Sequence, residues 1–396
     1  MRIAANRSRP VAAVAVVGAL VLAGCSTQQQ GANSTSASGG ASGSGCKPSA
    51  QVTQQYNKAW QQAEKGLGLS GIKPTKTKLC MVNTTKYKKS RTNGQYRIAL
   101  AAQGPTNSWA TENEEAFRYE AKKKNVKVLY ASADGDATKQ VGNIQQLRAQ
   151  NPDAMVVVPM GSGITGQVQA AAKQGIPVVL CSGKLGPNSG AVSTVTRSYA
   201  MQGTLWADWL IKAIGGKGKI AMLSGIPGVP TAEFPKAAAE KVFAQHPGIK
   251  VVAKQYDQWS PTTAKTVAAN LLAQHPDLAG IWSDSGFGDI GVAEAYKQAG
   301  KPVPPVTGDS SNAFLKAAQG TKIKFGLSPF PPGMSMQCLD TAVQILQGKS
   351  VPNFINVQAP TYTNAELAKY IRPSCSENLW VPSELPDSLL RQLKLC

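Results

Sequence analysis

Histidine is almost absent from this sequence, and so are the common motifs of catalysis and metal binding. The only two histidines, His246 and His275, both stand in Ala-Gln-His-Pro turns. No CxxC pair occurs, so the usual ligand spacing of a zinc site is missing. The phosphate-binding motif GxxxxGK[ST] and the nucleophile motif GxSxG are also missing. These absences disfavour a histidine-based enzyme, a zinc enzyme and a P-loop enzyme.

One glycine-rich motif needs separate consideration. Residues Gly161–Gly166 match the dinucleotide pattern GxGxxG and follow an apolar run. A dinucleotide site also needs an acid at the end of the next strand, where this chain has Ser182. Glu233 and Asp309 could form an acid/base pair, but isolated acids in loops are more often binding or solvated groups. We therefore expect no catalytic residue, no metal and no cofactor.

Long apolar runs are scarce, and the one that stands out lies near the start. Val11–Leu22 follows three arginines and is too short to span a membrane stably. This pattern predicts a signal peptide at residues 1–24. The Leu-Ala-Gly-Cys sequence that ends at Cys25 resembles the bacterial lipobox, which implies lipidation of Cys25. Plain secretion with cleavage elsewhere is the alternative.

Residues 25–45 contain no charged residue and are rich in serine and glycine. This composition predicts a flexible linker with a reach of about 25 Å. No later segment has about 18 uninterrupted apolar residues. The expected location is the cell membrane, with the protein held on its outer face by the lipid.

Acidic residues are in short supply: Asp and Glu number 22 against 42 Lys and Arg. The imbalance is strongest at residues 46–94, where ten basic residues accompany Glu64 alone. Export argues against a nucleic-acid partner. Anionic lipid or cell-wall polymer is one interpretation of this basic extension, and a solvated surface is the simpler one. Apolar residues from Val52 to Ala63 recur at helical spacing and predict an amphipathic helix docked on the body.

Six cysteines follow Cys25, in a compartment that permits disulfides. Fifteen complete pairings are conceivable. We hypothesise Cys46–Cys80 and Cys375–Cys396, because both pairs would tie down terminal additions. Cys181 and Cys338 fall in apolar surroundings, and we expect them to be free and buried.

A repeat organises the rest of the chain. Leu147–Val158 (LRAQNPDAMVVV) reappears as Leu271–Trp282 (LLAQHPDLAGIW). Each copy reads as a helix end, a proline and a buried strand. Three neighbouring segments repeat at nearly the same offset, for example RIAL at residues 97–100 and KIAM at residues 219–222. The pattern predicts an α/β fold of two similar lobes, each a doubly wound parallel sheet.

In such sheets, ligands bind beyond the carboxyl ends of the strands. The predicted strands of the first copy are 96–101, 127–130, 154–159 and 177–180. Those of the second are 219–223, 250–253, 280–283 and 303–307. Aromatic rings, single carboxylates and small hydroxyls follow them. This inventory suits a compact polyhydroxylated ligand, because rings stack on its C–H faces and carboxylates accept from its hydroxyls.

The set of motifs RIALAAQGPTNSW, NPDAMVVVP, IPVV, HPDLAGIWSD and VTGDSS, behind an export signal, resembles the type I periplasmic substrate-binding proteins of ABC transporters, in the ribose/galactose-like branch. The resemblance covers about residues 96–362. It implies two lobes joined by a three-strand hinge, which close over a small ligand, most simply a sugar or polyol, and present it to a membrane permease. We expect a monomer.

The resemblance also implies domain bounds. The N-terminal lobe would take residues 95–195 plus 331–358, and the C-terminal lobe 196–330 plus 359–372. Residues 373–396 would form a Cys-containing tail outside the family's pattern.

Carried over residue by residue, the family's ligand-binding positions fall in the strand-end loops and at the hinge. Together with Phe287, from the same loop as Asp284, and Phe330, which lies beside the family's hinge position, the candidate ligand-binding residues are Asn107, Trp109, Ser182, Glu233, Trp259, Asp284, Phe287, Asp309 and Phe330. Two departures bear on the ligand. Ser182 and Gly183 replace an Asp-Arg pair, and Glu233 stands nearest the place of a second arginine. A less polar polyol, a modified sugar or an aromatic compound therefore becomes more plausible than an ordinary pentose or hexose.

Two non-enzymatic alternatives remain. Regulators of the LacI type share this fold but need an N-terminal helix-turn-helix, and here a predicted signal peptide occupies that end. A lipoprotein that senses a ligand for a membrane receptor has no distinguishing feature in this sequence.

Overall fold

The structure is a computed structural model that describes residues 46–396. The predicted signal peptide, the linker and Cys25 lie outside the described residues. Within residues 46–396, no helix is both long and apolar enough to cross a bilayer.

The basic extension forms one helix between two short strands. Its elements are β1 (Cys46–Pro48), α1 (Ala50–Gly66) and β2 (Cys80–Val82). Ser49 starts the helix, because its side chain accepts a hydrogen bond from the backbone N–H of Val52. The predicted amphipathic helix is confirmed: Tyr56 and Trp60 are buried and belong to one core cluster with Trp206.

The first repeat folds into an N-terminal lobe of alternating strands and helices. These are β3 (Tyr96–Ala102), α2 (Ser108–Lys123), β4 (Val126–Ser132), α3 (Ala137–Ala149), β5 (Ala154–Val157), α4 (Thr165–Lys173), β6 (Val178–Cys181) and β7 (Ser193–Thr196). Every residue of β5 and β6 is buried, as expected for strands covered by helices on both faces.

The second repeat builds the C-terminal lobe in the same way. Its elements are α5 (Tyr199–Ala213), β8 (Gly218–Ser224), α6 (Pro230–Phe243), β9 (Ile249–Tyr256), α7 (Pro261–Gln274), β10 (Leu278–Ser283), α8 (Asp289–Gln298), β11 (Val306–Gly308), α9 (Asn312–Ala318) and β12 (Phe325–Leu327). The strand predicted at 303–307 starts later, at Val306, because Pro302, Pro304 and Pro305 lack the N–H groups that a ladder needs.

The chain then returns to the first lobe and crosses once more to the second. The remaining elements are α10 (Met334–Leu346), β13 (Val351–Pro352), β14 (Phe354–Asn356), β15 (Tyr362–Thr363), α11 (Leu367–Tyr370) and α12 (Asp387–Gln392). The chain thus passes between the lobes at 197–198, 328–333 and 357–361.

The two large sheets have equivalent strand orders. They are β14-β7-β6-β5-β3-β4 and β15-β12-β11-β10-β8-β9, and only the pairing of β12 with β15 is antiparallel. The repeated segments end in β5 and β10, which lie beside the first strand of their sheets, β3 and β8. The predicted fold class, two similar doubly wound lobes joined by three crossings, is confirmed.

All six cysteines of the described residues are paired. The structure joins Cys46 to Cys80 and Cys375 to Cys396 in the terminal additions. It also joins Cys181 to Cys338. The expectation that these last two are free thiols is wrong, although both are buried. β6 and α10 pack together, although they are far apart in the sequence. This packing brings the Cα atoms of Cys181 and Cys338, which are 157 residues apart, to 5.6 Å from each other.

Candidate functional site

A cavity of about 790 Å³ lies between the lobes. Its lining follows the carboxyl ends of strands in both sheets, as parallel α/β architecture predicts. Eight of the nine candidate residues line it: Asn107, Trp109, Ser182, Trp259, Asp284, Phe287, Asp309 and Phe330. Glu233 is not among the lining residues.

On the N-terminal side, Trp109 is placed by the start of α2. The side chain of Asn107 caps this helix by accepting from the backbone N–H of Ala110 at 2.9 Å. Trp109 Nε1 donates a hydrogen bond of 2.7 Å to the carbonyl oxygen of Phe330, which lies in the second crossing. Their ring centroids are 5.5 Å apart. The half-buried Trp109 ring is thus tied directly to a crossing between the lobes.

Phe330 continues this aromatic wall toward the first crossing. Its ring stacks on Tyr199 at 5.9 Å between centroids, and Tyr199 stacks on Phe234 at 6.0 Å. The Tyr199 hydroxyl donates to the carbonyl oxygen of Ser182. Ser182 is buried, with φ at +57°, and its Oγ accepts from Asn113 Nδ2 at 3.2 Å. Its own polar groups therefore serve mainly to order the cavity wall.

On the C-terminal side, Trp259 and Asp284 form a linked pair. Trp259 Nε1 donates to Asp284 Oδ1 at 2.9 Å, and the Trp259 backbone N–H donates to Asp257 Oδ1 at 2.8 Å. Trp259 has φ at +51°, a conformation that is uncommon outside glycine. A Cβ atom on Gly225 would overlap the indole ring. Glycine at 225 and the unusual turn at 259 together let the ring pack closely against the backbone just after β8.

Four carboxyl groups are buried on this side, and two of them line the cavity. Burial raises the pKa of Asp284 well above its usual value, and the neighbouring Asp257 adds to the rise. Burial likewise raises the pKa of Asp257 and of Asp289 to about 7. Within the described residues, Asp284 Oδ2 has no hydrogen-bond partner. A hydrogen-bond donor placed beside this oxygen would lower the cost of burying it.

Asp309 is the second carboxyl of the lining. Its Oδ1 accepts from the backbone N–H groups of Ser310 at 2.6 Å and Phe330 at 2.8 Å. Burial raises the pKa of Asp309 to about 8, while Arg197 works in the opposite direction. Arg197 is buried in the first crossing and donates to Ser328 Oγ and to the carbonyl oxygen of Ala359 in the other two crossings. Asp309 therefore connects the cavity to the hinge.

Glu233 is occupied elsewhere. Its carboxylate accepts from the backbone N–H of Gly228 and the hydroxyl of Tyr256, and it pairs with Lys236 at 2.7 Å. Lys236 lies one turn away on α6, and Tyr256 lies on the adjacent β9. Together with Gly228, they hold the carboxylate at the loop after β8. Glu233, a candidate ligand-binding residue nearest the place of a missing arginine, is therefore held outside the cavity lining in this structure.

Sequence reasoning missed several lining residues, chiefly Tyr199, Gln202, Trp206 and Trp380. The first three lie on α5, which begins right after β7. That strand was not predicted, and its short Ser-Thr-Val-Thr sequence is the only signal that could have revealed it. Trp380 comes from the Cys-containing tail, where no repeat or motif points toward the cleft.

The chain belongs to the periplasmic binding protein family, whose domain matches residues 98–350. It is similar to the ribose import binding protein of Bacillus subtilis, with 27% identity over 70% of this chain and 91% of the relative. It is also similar to a xylitol-binding protein of Mycolicibacterium smegmatis, with 27% identity over 66% and 76% of the two chains. The first relative is an import binding protein, and the second is a polyol-binding protein.

A solved structure supports the same assignment. An ABC-transporter solute-binding protein of Actinobacillus succinogenes with bound D-allose has a TM-score of 0.62 and 26% identity. The match covers 69% of this chain and all of the other. The family is therefore that of the sugar- and polyol-binding proteins of ABC transporters, with the type I fold of two parallel-sheet lobes.

Proposed function

We propose that this protein is the extracytoplasmic binding component of an ABC importer and captures a sugar, a polyol or a related compound between its two lobes. The observation that carries the proposal is the composition of the interlobe cavity. Aromatic faces from both lobes and two buried carboxyl groups line one space of about 790 Å³. The relatives' names, which specify ribose and xylitol, support the ligand class.

Each type of group has a defined task in binding. Trp109 and Trp259 offer flat apolar faces to the C–H surfaces of the ligand. Asp284 and Asp309 form hydrogen bonds with adjacent hydroxyls, and a carboxyl group that keeps its proton can both donate and accept such bonds. The cavity lining contains no lysine or arginine within the described residues. A neutral ligand rich in hydroxyl donors fits this lining better than an anionic one.

Binding would proceed by closure without chemistry. The open lobes admit the ligand, and contacts from both lobes then stabilise the closed form. Phe330 and Asp309 link the cavity to the crossings, so a ligand that contacts either residue also acts on the hinge. The permease would recognise the closed, loaded form. No catalytic step, cofactor or metal is part of this proposal, and the protein acts as a monomer.

Location completes the proposed function. Cleavage before Cys25 and lipidation of that residue would anchor the protein at the outer face of the cell membrane. The linker at 25–45 would then keep the lobes within reach of the permease.

A second ligand class follows from the aromatic content of the cavity. Its lining includes Trp109, Tyr199, Trp206, Trp259, Phe287, Phe330 and Trp380. So many rings would also suit a small aromatic compound that carries hydroxyl groups. The transport role is the same in both cases.

A thermal-shift panel on the chain from residue 26 tests the proposal. The protein is first unfolded with its disulfides intact and refolded, which removes any ligand carried through purification. Sugars, polyols, nucleosides and small aromatic compounds are then added separately, since a ligand of the folded state raises the melting temperature. A shift with a sugar or polyol supports the main proposal, and a shift with aromatics alone supports the second. No shift at millimolar concentrations would overturn both.

A further inference from the structure

We propose that the C-terminal segment 373–396 is part of the ligand site, and that Trp380 is a specificity-determining residue that also joins the two lobes in the closed form. This inference rests on the proposed function and deepens it. It concerns a segment outside the matched family domain, which ends at residue 350.

The segment is fixed firmly to the C-terminal lobe. The backbone N–H of Asn312 donates to the carbonyl oxygen of Leu379, and that of Val381 donates to Ser310. The Asn312 side chain also donates to the carbonyl oxygens of Arg372 and Ser376, each at 2.9 Å. Five leucines of the segment are buried in that lobe's core: Leu379, Leu385, Leu389, Leu390 and Leu395. The Cys375–Cys396 disulfide closes the segment on itself.

From this base, Trp380 reaches the cavity. Its side chain lines the interlobe space, and its ring stacks on Phe287 of the C-terminal lobe at 6.3 Å between centroids. Phe287 in turn follows β10 and lines the same space. Trp380 and Phe287 therefore form one aromatic wall whose position is set by the C-terminal lobe.

Trp380 also bonds to the N-terminal lobe. Its Nε1 donates to Ser108 Oγ at 3.0 Å, and its backbone N–H donates to Glu112 Oε1 at 3.0 Å. Both acceptors lie in the first turns of α2, the helix that carries Trp109. Because α2 and the C-terminal segment belong to different lobes, both bonds must break when the lobes move apart.

Glu112 makes this contact sensitive to opening. It is only 1% exposed, and its Oε2 has no hydrogen-bond partner among the described residues. Burial raises its pKa to about 8. A carboxyl group sealed in this way depends on Trp380 for its one hydrogen bond. Opening would return it to water, so the contact forms only in the closed arrangement.

Two consequences follow for the ligand. The indole of Trp380 lines the cavity beside Ser108 and Phe287, so it limits the size of ligand that the closed cavity accepts. The bonds to Ser108 and Glu112 stabilise closure and slow ligand release. The segment thus contributes both to the choice of ligand and to its residence time.

Four variants of the chain from residue 26 separate these contributions. Trp380→Ala removes the wall, and Trp380→Phe keeps the ring but loses the bond to Ser108. Ser108→Ala removes the hydroxyl that accepts this bond, from a residue that also lines the cavity. Trp209→Phe alters a buried tryptophan of α5 that does not line the cavity and serves as the matched control. The ligand is the best compound from the thermal-shift panel, and calorimetry and stopped-flow fluorescence give its Kd and dissociation rate.

We expect Trp380→Ala to weaken the best ligand by at least about tenfold and to shift the preference toward bulkier compounds. Trp380→Phe and Ser108→Ala should each speed dissociation by about threefold to tenfold, with unchanged melting temperatures without ligand. Trp209→Phe should bind as the unmodified protein does.

Two outcomes would overturn the inference. In the first, Trp380→Ala binds with the same affinity and ligand ranking as the unmodified protein, while Trp109→Ala loses binding. That result would leave the proposed function intact and remove Trp380 from the site. Unmodified dissociation rates in both Trp380→Phe and Ser108→Ala would remove the closure role. Unmodified binding in Trp109→Ala, Asp309→Ala and Trp380→Ala together would instead reject the interlobe cavity as the site.

Discussion

The two lobes share a topology but present different chemistry to the cavity. Strands β6 and β11 occupy equivalent places in the two sheets. The residue that follows β6 is Ser182, and the residue that follows β11 is Asp309. In the loops after the equivalent strands β5 and β10, the corresponding lining residues are Met160 and Asp284. Both acids of the lining thus come from the C-terminal lobe. The repeat sets the positions of the loops in both lobes, while the residues within those loops place both lining acids in one lobe.

The lobes also differ in how they are cross-linked. Cys181–Cys338 ties β6 to α10 inside the N-terminal lobe across 157 residues, whereas the C-terminal lobe's disulfide closes only the final segment. Replacing both Cys181 and Cys338 with Ala should lower the free energy of unfolding by up to about 5 kcal/mol through loop entropy. Urea unfolding followed by tryptophan fluorescence measures this. A change below about 1 kcal/mol would contradict the expectation.

The difference in polarity can be tested at the equivalent strand ends. Asp309→Ala should weaken the ligand by about tenfold to 100-fold, because the hydrogen bond between a ligand hydroxyl and a buried carboxyl is lost. Ser182→Ala, the matched change in the other lobe, should weaken it by less than about threefold. Calorimetric titration gives both values. Equal losses would show that the two lobes share polar recognition evenly.

The aromatic contributions should be more alike. Trp109→Ala and Trp259→Ala each remove one stacking face, and each should raise Kd by at least about tenfold with little change in fold. Circular dichroism controls for folding and calorimetry reports binding. Unmodified affinity in either variant would remove that ring from the site.

The buried acids of the C-terminal lobe predict a pH dependence without ligand. The folded pKa values of Asp257, Asp289 and Asp309 are about 7, 7 and 8, against about 4 in an unfolded chain. Between these values the folded state holds protons that the unfolded state has released. Stability from these groups is therefore present at low pH and falls as pH rises from about 4 to 8.

Asp309→Asn should lessen this fall, since Asn does not titrate. We expect the melting temperature of the unmodified protein to drop by about 5 °C more than that of Asp309→Asn between pH 5 and pH 8. Ser182→Asn, in the equivalent place, should follow the unmodified protein. Parallel curves for all three would show that Asp309 titrates normally.

The sequence pattern predicted the two lobes well, because each copy of the repeat contains a helix end and a buried strand. The proline before β5 and β10 marks the same turn in both copies, and ligand-facing loops follow from parallel topology alone. Asn107, Trp109, Trp259 and Asp309 could be placed near one another for that reason. Their role in binding is the proposal made above.

The remaining features depend on tertiary contacts that no local pattern encodes. Arg197 and Tyr199 lie at a crossing whose strand was too short to predict. Cys181 and Cys338 meet only because α10 returns to the first lobe. Trp380 enters the cavity because leucines in its own segment pack against the C-terminal lobe. Glu233 lies outside the cavity lining, and its carboxylate binds Lys236 one helical turn away.

The basic extension lies where the chain passes between the lobes. β2 pairs with β13, which lies shortly before the third crossing. In that crossing, the Thr361 hydroxyl donates to the carbonyl oxygen of Ala63 in α1, and a Cβ atom on Gly66 would collide with Thr361. The described chain begins at Cys46, which is tied to β2. A force applied at Cys46 would therefore act near the crossings between the lobes and not on the outer part of either lobe. A lipid anchor attached through this end, as proposed, would therefore oppose the relative motion of the lobes only weakly.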